Sequence, residues 1–268
     1  MRLATTRRAS RAWWRAVRRG KLGGGGAPAG ALWVGVPAAA PAAAATDRIA
    51  QRVPAVEGRP LHVRVTVGEV RVRAEDRTDI AVVVEREVPA GQAPAALPVR
   101  IEPEGDALRV SALQPGQSRD PSLVARVDVA VPASTAVLVE VGEGACEVVG
   151  VRSALQVTVD RGPATLRRVS GVMRVETRSG DILVEGADLP PTGLLRVRAL
   201  TGNVSIELAT RPADARLLLL ALSGRVEATV PLEDRGGPGR RIREAVLGSG
   251  KALLSVDVVR GDIIVRMP

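Results

Sequence analysis

The sequence predicts an all-β fold: a single-stranded β-solenoid, a β-helix-like stack of strand pairs cornered at glycine, with a β-sandwich of hairpin meanders as the alternative. Three observations predict it. Apolar residues alternate with period two over most of the chain, as half-buried strands require. Seven glycines stand at the centre of one recurring apolar pattern. All three aromatic residues are Trp13, Trp14 and Trp33, so residues 46–268 hold no Phe, Tyr or Trp. A core of Val, Leu, Ile and Ala alone suits thin aliphatic layers on pleated strands.

In chain order, residues 1–45 read as a signal-peptide-like basic leader. They carry eight Arg/Lys and no acid. An apolar run from Ala27 to Ala40 follows, and Ala43-Ala44-Ala45 supplies the small residues of a cleavage site. Arg7-Arg8 resembles a twin-arginine pair, although Ser10 and Arg11 stand where hydrophobic residues should follow. The run is too short and too glycine-rich to span a bilayer, so no membrane span is expected in the mature chain. The alternative is a basic tail or a misassigned start codon on a cytoplasmic protein. Without the leader the chain has 30 basic and 29 acidic residues. The high pI therefore belongs to the leader, and no nucleic-acid partner is expected, since that would need a basic face on the folded part. Residues 46–57 read as a linker, and 58–268 as one β-repeat domain.

Within 58–268 the pattern can be counted. With Gly180 at position zero, Met173, Val175 and Thr177 stand at −7, −5 and −3, and Ile182 and Val184 at +2 and +4. The same register recurs around Gly68, Gly144, Gly162, Gly202, Gly224 and Gly261. Parity breaks at the glycine: odd positions are apolar before it and even positions after it. A straight strand cannot place −3 and +2 on one face, so the chain turns there, and glycine tolerates the positive φ that tight turns need. A two-residue hairpin would pair −3 with +2; a solenoid would stack each copy on the next. Spacings of 18, 18, 22 and 22 residues from Gly144 to Gly224 favour the solenoid. The last gap, 37 residues to Gly261, leaves room for a loop from Pro231 to about Gly250. Residues 76–132 read as an irregular N-terminal part, with strands at Ile80–Val88, Leu97–Ile101, Leu108–Leu113 and Val124–Val131. Residues 133–268 hold the regular repeats.

The segments Ser179-Gly180-Asp181-Ile182, Thr201-Gly202-Asn203-Val204, Ser223-Gly224-Arg225-Val226 and Arg260-Gly261-Asp262-Ile263 resemble the S/T-G-D/N-I/V repeat of the bacterial putative-adhesin domains. Leu61–Ala74 and the terminal Gly-Asp-Ile-Ile-Val-Arg resemble that family's opening and closing strands. The resemblance covers roughly residues 58–268 and implies a β-solenoid-like domain, exported or envelope-associated. It carries no catalytic residues over. Glu233–Arg243 departs from the repeat.

No catalytic, cofactor or metal site emerges from the residues. Cys146 falls at the buried +2 position and reads as a small core residue. The single histidine, His62, falls on the opposite face and reads as a solvated strand residue. Asp181, Asn203, Arg225 and Asp262 share the outward +1 position. As an acid pair, Asp181 and Asp262 would stand three copies apart, about 14 Å at ~4.8 Å per step, beyond the roughly 5–10 Å of glycosidases. Asp and Asn beside Gly read instead as turn chemistry. Asp160 and Arg178 share −2 in adjacent copies, and Glu176 and Arg198 share −4, so both pairs should stack as ion pairs. One outward stripe is apolar: Leu200, Leu218, Leu220, Leu222 and Val259. It points to coverage, by the Pro231–Gly250 loop or by a partner. The function class is a non-enzymatic binding, adhesion or scaffolding domain with a surface or envelope protein or glycan as partner. The alternatives are an assembly module polymerising through its end coils and, behind both, a β-helical carbohydrate-active enzyme.

Overall fold

The computed structural model describes residues 45–89, 93–114, 120–235 and 242–268. The expected leader lies outside these residues except for Ala45. Among them are twenty strands and one short 3-10 turn, Pro94–Ala96. The first six strands are β1 (Ala45–Pro54), β2 (Leu61–Glu75), β3 (Asp79–Val88), β4 (Val99–Glu104), β5 (Ala107–Ala112) and β6 (Val124–Pro132). Then come β7 (Val137–Glu143), β8 (Cys146–Val149), β9 (Leu155–Arg161), β10 (Ala164–Arg167), β11 (Val172–Ser179), β12 (Ile182–Ala187), β13 (Leu194–Thr201) and β14 (Val204–Leu208). The last six are β15 (Ala215–Ser223), β16 (Val226–Ala228), β17 (Glu233–Asp234), β18 (Ile242–Leu247), β19 (Ala252–Arg260) and β20 (Ile263–Arg266).

The two arms of each glycine copy pair with the same arms of neighbouring copies. Thr177 lies opposite Val159 and Ala199, and Ile182 opposite Ala164 and Val204, all in parallel pairing. The pre-glycine arms form one ladder, in the order β4-β5-β2-β7-β9-β11-β13-β19-β15-β18-β17. The post-glycine arms form another, β1-β3-β6-β2-β8-β10-β12-β14-β20-β16. Strand β2 contributes its first half to one ladder and its second half to the other, and so joins all twenty strands into one hydrogen-bonded set.

The corner glycines form a column. Their φ angles run from +130° at Gly144 to +152° at Gly224. A Cβ on Gly180 would stand 1.9 Å from the carbonyl oxygen of Gly162, and one on Gly202 2.1 Å from that of Gly180. Each corner thus packs backbone on backbone, which no side chain could permit. The inward residues of both ladders, among them Met173, Val175, Ile182 and Val184, are fully buried in one continuous aliphatic core.

The copies do not stack in sequence order. The Gly261 copy lies between the Gly202 and Gly224 copies: β19 pairs with β13 on one side and β15 on the other. The described part of the expected Pro231–Gly250 loop is itself strand, with β18 antiparallel to the outer edge of β15. The chain then crosses the start of β15 to reach its other side. Asp214 secures the crossing, its Oδ1 accepting hydrogen bonds from the backbone N–H (2.6 Å) and hydroxyl (3.0 Å) of Ser249. A second difference concerns residues 46–57, expected as a linker. Most of them form β1, paired antiparallel along the whole of β3. Irregular residues 76–132 cap this end: β3 and β4 run antiparallel to β6 and β5, which stack on β2.

Candidate interaction surface

Cys146 sits where the count places it, level with Val70 and Ala164 and 2 % exposed. Burial pushes its thiol pKa up to about 12, so it is a packing residue that seldom ionises. His62 is not solvated as expected. Its side chain is 15 % exposed, flanked across the strands by Arg109 and Leu138. Long neighbours on a crowded strand face wall it in. Its Nε2 lies 3.8 Å from a Glu140 carboxylate oxygen, makes no hydrogen bond, and burial lowers its pKa.

The outward +1 residues form a hydrogen-bond ladder. The Asp181 carboxylate accepts the N–H of Asn203 (2.7 Å), the Asn203 amide oxygen accepts that of Asp262 (3.0 Å), and the Asp262 carboxylate accepts that of Arg225 (2.8 Å). Because the Gly261 copy is inserted, Asp181 and Asp262 are two steps apart rather than three, about 10 Å. That brings them to the edge of the separation between glycosidase carboxyls. Each nevertheless serves the backbone of the neighbouring copy, as turn chemistry requires. Asn203, within Asn-Val-Ser, commits its side-chain oxygen in the same way.

The outer face of the pre-glycine ladder differs from the rest of the surface. Leu200, Val259 and Leu222 lie side by side on β13, β19 and β15. They are 51 %, 37 % and 54 % exposed, so the described part of the Pro231–Gly250 segment does not cover them. Leu218 and Leu220 are half-buried beside β18, opposite Glu244 and Ile242. Among the described residues the exposed large hydrophobics are Val56, Leu113, Val172, Leu200, Leu222, Val246 and Val259. All but Val56 and Leu113 belong to this face, since Val172 shares the outward parity of β11 and Val246 stands opposite outward Arg216. Leu113 follows β5 and lines a groove on the same side with Arg64 and Glu140. Among the described residues the strands of the post-glycine ladder carry no exposed large hydrophobic; their outer face carries ion pairs such as Arg71–Glu147 (2.7 Å) and Arg167–Glu185 (2.7 Å).

The two stacked ion pairs expected on the apolar-rich face form, Asp160–Arg178 at 3.6 Å and Glu176–Arg198 at 3.9 Å. Arg198 also reaches Asp257 at 3.5 Å. Two further arginines, Arg174 and Arg196, stand directly opposite each other on β11 and β13, both exposed. Neither makes an ion pair with a described residue. The register itself carries the signal, because both occupy −6 in adjacent copies. Among the described residues no group of three or more His, Cys, Asp or Glu could hold a metal ion, and no helix is long and apolar enough to cross a membrane.

No family model and no curated protein matches the chain. Solved structures do. A putative cell adhesion protein from Clostridium sporogenes is similar with a TM-score of 0.50 and 11% identity, over 84% of this chain and 100% of that one. A putative adhesin from Bacteroides fragilis follows at 0.40 and 12% identity, over 83% and 97%. At 11% identity the likeness to the first of these is one of fold.

Proposed function

We propose that the chain is a non-enzymatic, exported or envelope-associated β-solenoid whose outer pre-glycine face is an adhesive binding surface. The solenoid reading rests on the parallel pairing of like arms, which a meander of hairpins would not produce. The binding reading rests on one observation: the exposed row Leu200–Val259–Leu222. Three aliphatic side chains half in water across adjacent strands cost solubility and contribute nothing to the core, which is the pattern of a surface kept for a partner. The carboxylates at the corners are occupied with backbone N–H groups, which supports binding over hydrolysis. Three of the four ladder ends finish in antiparallel strands, which weighs against growth through the end coils.

The test couples location to surface. N-terminal sequencing of protein recovered outside the cytoplasm should begin near Thr46, and that species should have almost no absorbance at 280 nm. Beads coated with the protein should adhere to envelope preparations, and the double variant Leu200→Ser/Leu222→Ser should lose most of that adhesion while melting normally. An intact Met1 confined to the cytosol overturns export; undiminished adhesion by the double variant overturns the assignment of the surface.

A further inference from the structure

We propose that the outer face of the pre-glycine ladder docks on an anionic lipid surface. This rests on the reading of that face as the working surface and names its partner. The first support is the pair Arg174 and Arg196. Like charges directly opposite on neighbouring strands oppose pairing, and these two have no acid partner among the described residues, whereas Arg178 and Arg198 beside them do. A phosphate-bearing surface removes the repulsion and meets both guanidinium groups, which suit phosphate geometry.

The second support is the apolar distribution. Val172 precedes the arginines by one outward position on β11, and the Leu200–Val259–Leu222 row lies beyond them toward the corner. Val246 marks the far side on β18. From β11 to β18 is four strand spacings, and from −8 to −2 is six residues, so the patch measures roughly 19 Å by 20 Å. The outward acids on β11 and β19 within this area, Glu176 and Asp257, are both engaged by Arg198, so aliphatic tips around Arg174 and Arg196 match the headgroup boundary of a bilayer, where apolar side chains enter and arginines meet phosphates. A glycan would call for aromatic platforms, of which residues 46–268 have none. A folded protein would call for a concentrated, complementary anchor site rather than scattered tips.

The test uses the full chain labelled at one cysteine, Cys146 being buried. An environment-sensitive dye at Leu222→Cys should shift to the blue when vesicles of 30 % phosphatidylglycerol in phosphatidylcholine are added. A dye at Thr165→Cys, on the other ladder's outer face, should not. Arg174→Gln/Arg196→Gln should weaken the Leu222→Cys response about thirtyfold in lipid concentration, at roughly fivefold per basic residue at an anionic surface. Arg73→Gln/Arg266→Gln, an equal charge change on the outer face of the other ladder, should leave it in place. The basic leader is common to all these proteins and so does not bias the comparison. The same shift at both dye positions, no shift at Leu222→Cys, or equal responses from both arginine double variants would overturn the proposal. If bead adhesion still depends on Leu200 and Leu222 while the vesicle shift is absent, the lipid inference fails and the surface assignment stands. If neither depends on the face, both fail.

Discussion

Replacing Gly180 by alanine tests whether the corner column holds the fold together. The new Cβ would lie 1.9 Å from the Gly162 oxygen and 2.4 Å from its carbon, at a backbone φ of +148°. Real contacts begin near 3.0 Å, so the neighbouring corner must retreat by about 1 Å. The hydrogen bond from Gly162 N–H to the Ser179 oxygen is 2.8 Å long and would open past its limit, losing ~1 kcal/mol. The positive φ adds about 1–3 kcal/mol of strain and the overpacking a similar amount. The stiffer unfolded chain returns less than ~1 kcal/mol. The expected loss is about 4 kcal/mol. Gly105→Ala is the control, with φ at +56° and nothing within 4 Å of its Cβ, so only ~1 kcal/mol of strain is expected. Gly224→Ala should fall between them, because its copy lies at the end of the post-glycine ladder and can move outward. Guanidinium unfolding followed by far-ultraviolet circular dichroism measures all three, since aromatic signals are absent from the folded domain. Equal destabilisation by Gly180→Ala and Gly105→Ala would refute the steric argument.

Burial lowers the pKa of His62 below its usual 6.5, so the fold favours the neutral ring. Its contribution is complete above pH ~6.5 and is lost as pH falls through the lowered folded value; His62→Gln should flatten the stability profile between pH 7 and 5 relative to wild type. Asp214 is held below the usual 3.8 by the backbone and hydroxyl hydrogen bonds from Ser249. It therefore stabilises above that value and ceases to as pH falls through its depressed one. Asp214→Ala should lower the neutral-pH melting temperature and remove that part of the acid dependence. With its thiol pKa near 12, Cys146 should resist thiol reagents at pH 8 in the native protein and react stoichiometrically in denaturant. Rapid native labelling would place it outside the core.

How much was legible follows from which forces are local. The parity break at glycine is set by neighbouring residues along the chain, so the strands, the turns and the inward face could be counted. The burial of Cys146 and the stacking of Asp160 with Arg178 follow from the same count. The place of the last copy could not be counted. The strand around Val256 matches its neighbours in parity and composition, so the pattern fits equally well beside β13 or beyond β15. What decides is the crossing at Asp214 and Ser249, a contact between residues 35 apart. The burial of His62 was hidden for a related reason: it depends on Arg109 and Leu138, brought beside it by separate strands.

The inserted copy also explains why the candidate surface exists. In sequence order Leu222 would follow Leu200, and Val259 would come last, beyond the long gap. Insertion of β19 places Val259 between the two leucines and makes the row continuous over three adjacent strands. It also sets Asp257 on the side of Arg198 away from Glu176, so that both acids are engaged by one arginine. Arg174 and Arg196, one outward position away, are left without that neutralisation. The continuous apolar row is therefore the product of one topological step. A variant that loosens the crossing, such as Asp214→Ala, should weaken adhesion more than its loss of stability accounts for. Adhesion measured on the folded fraction alone distinguishes the two. If that adhesion equals wild type in the variant, the surface does not depend on the placement of the last copy.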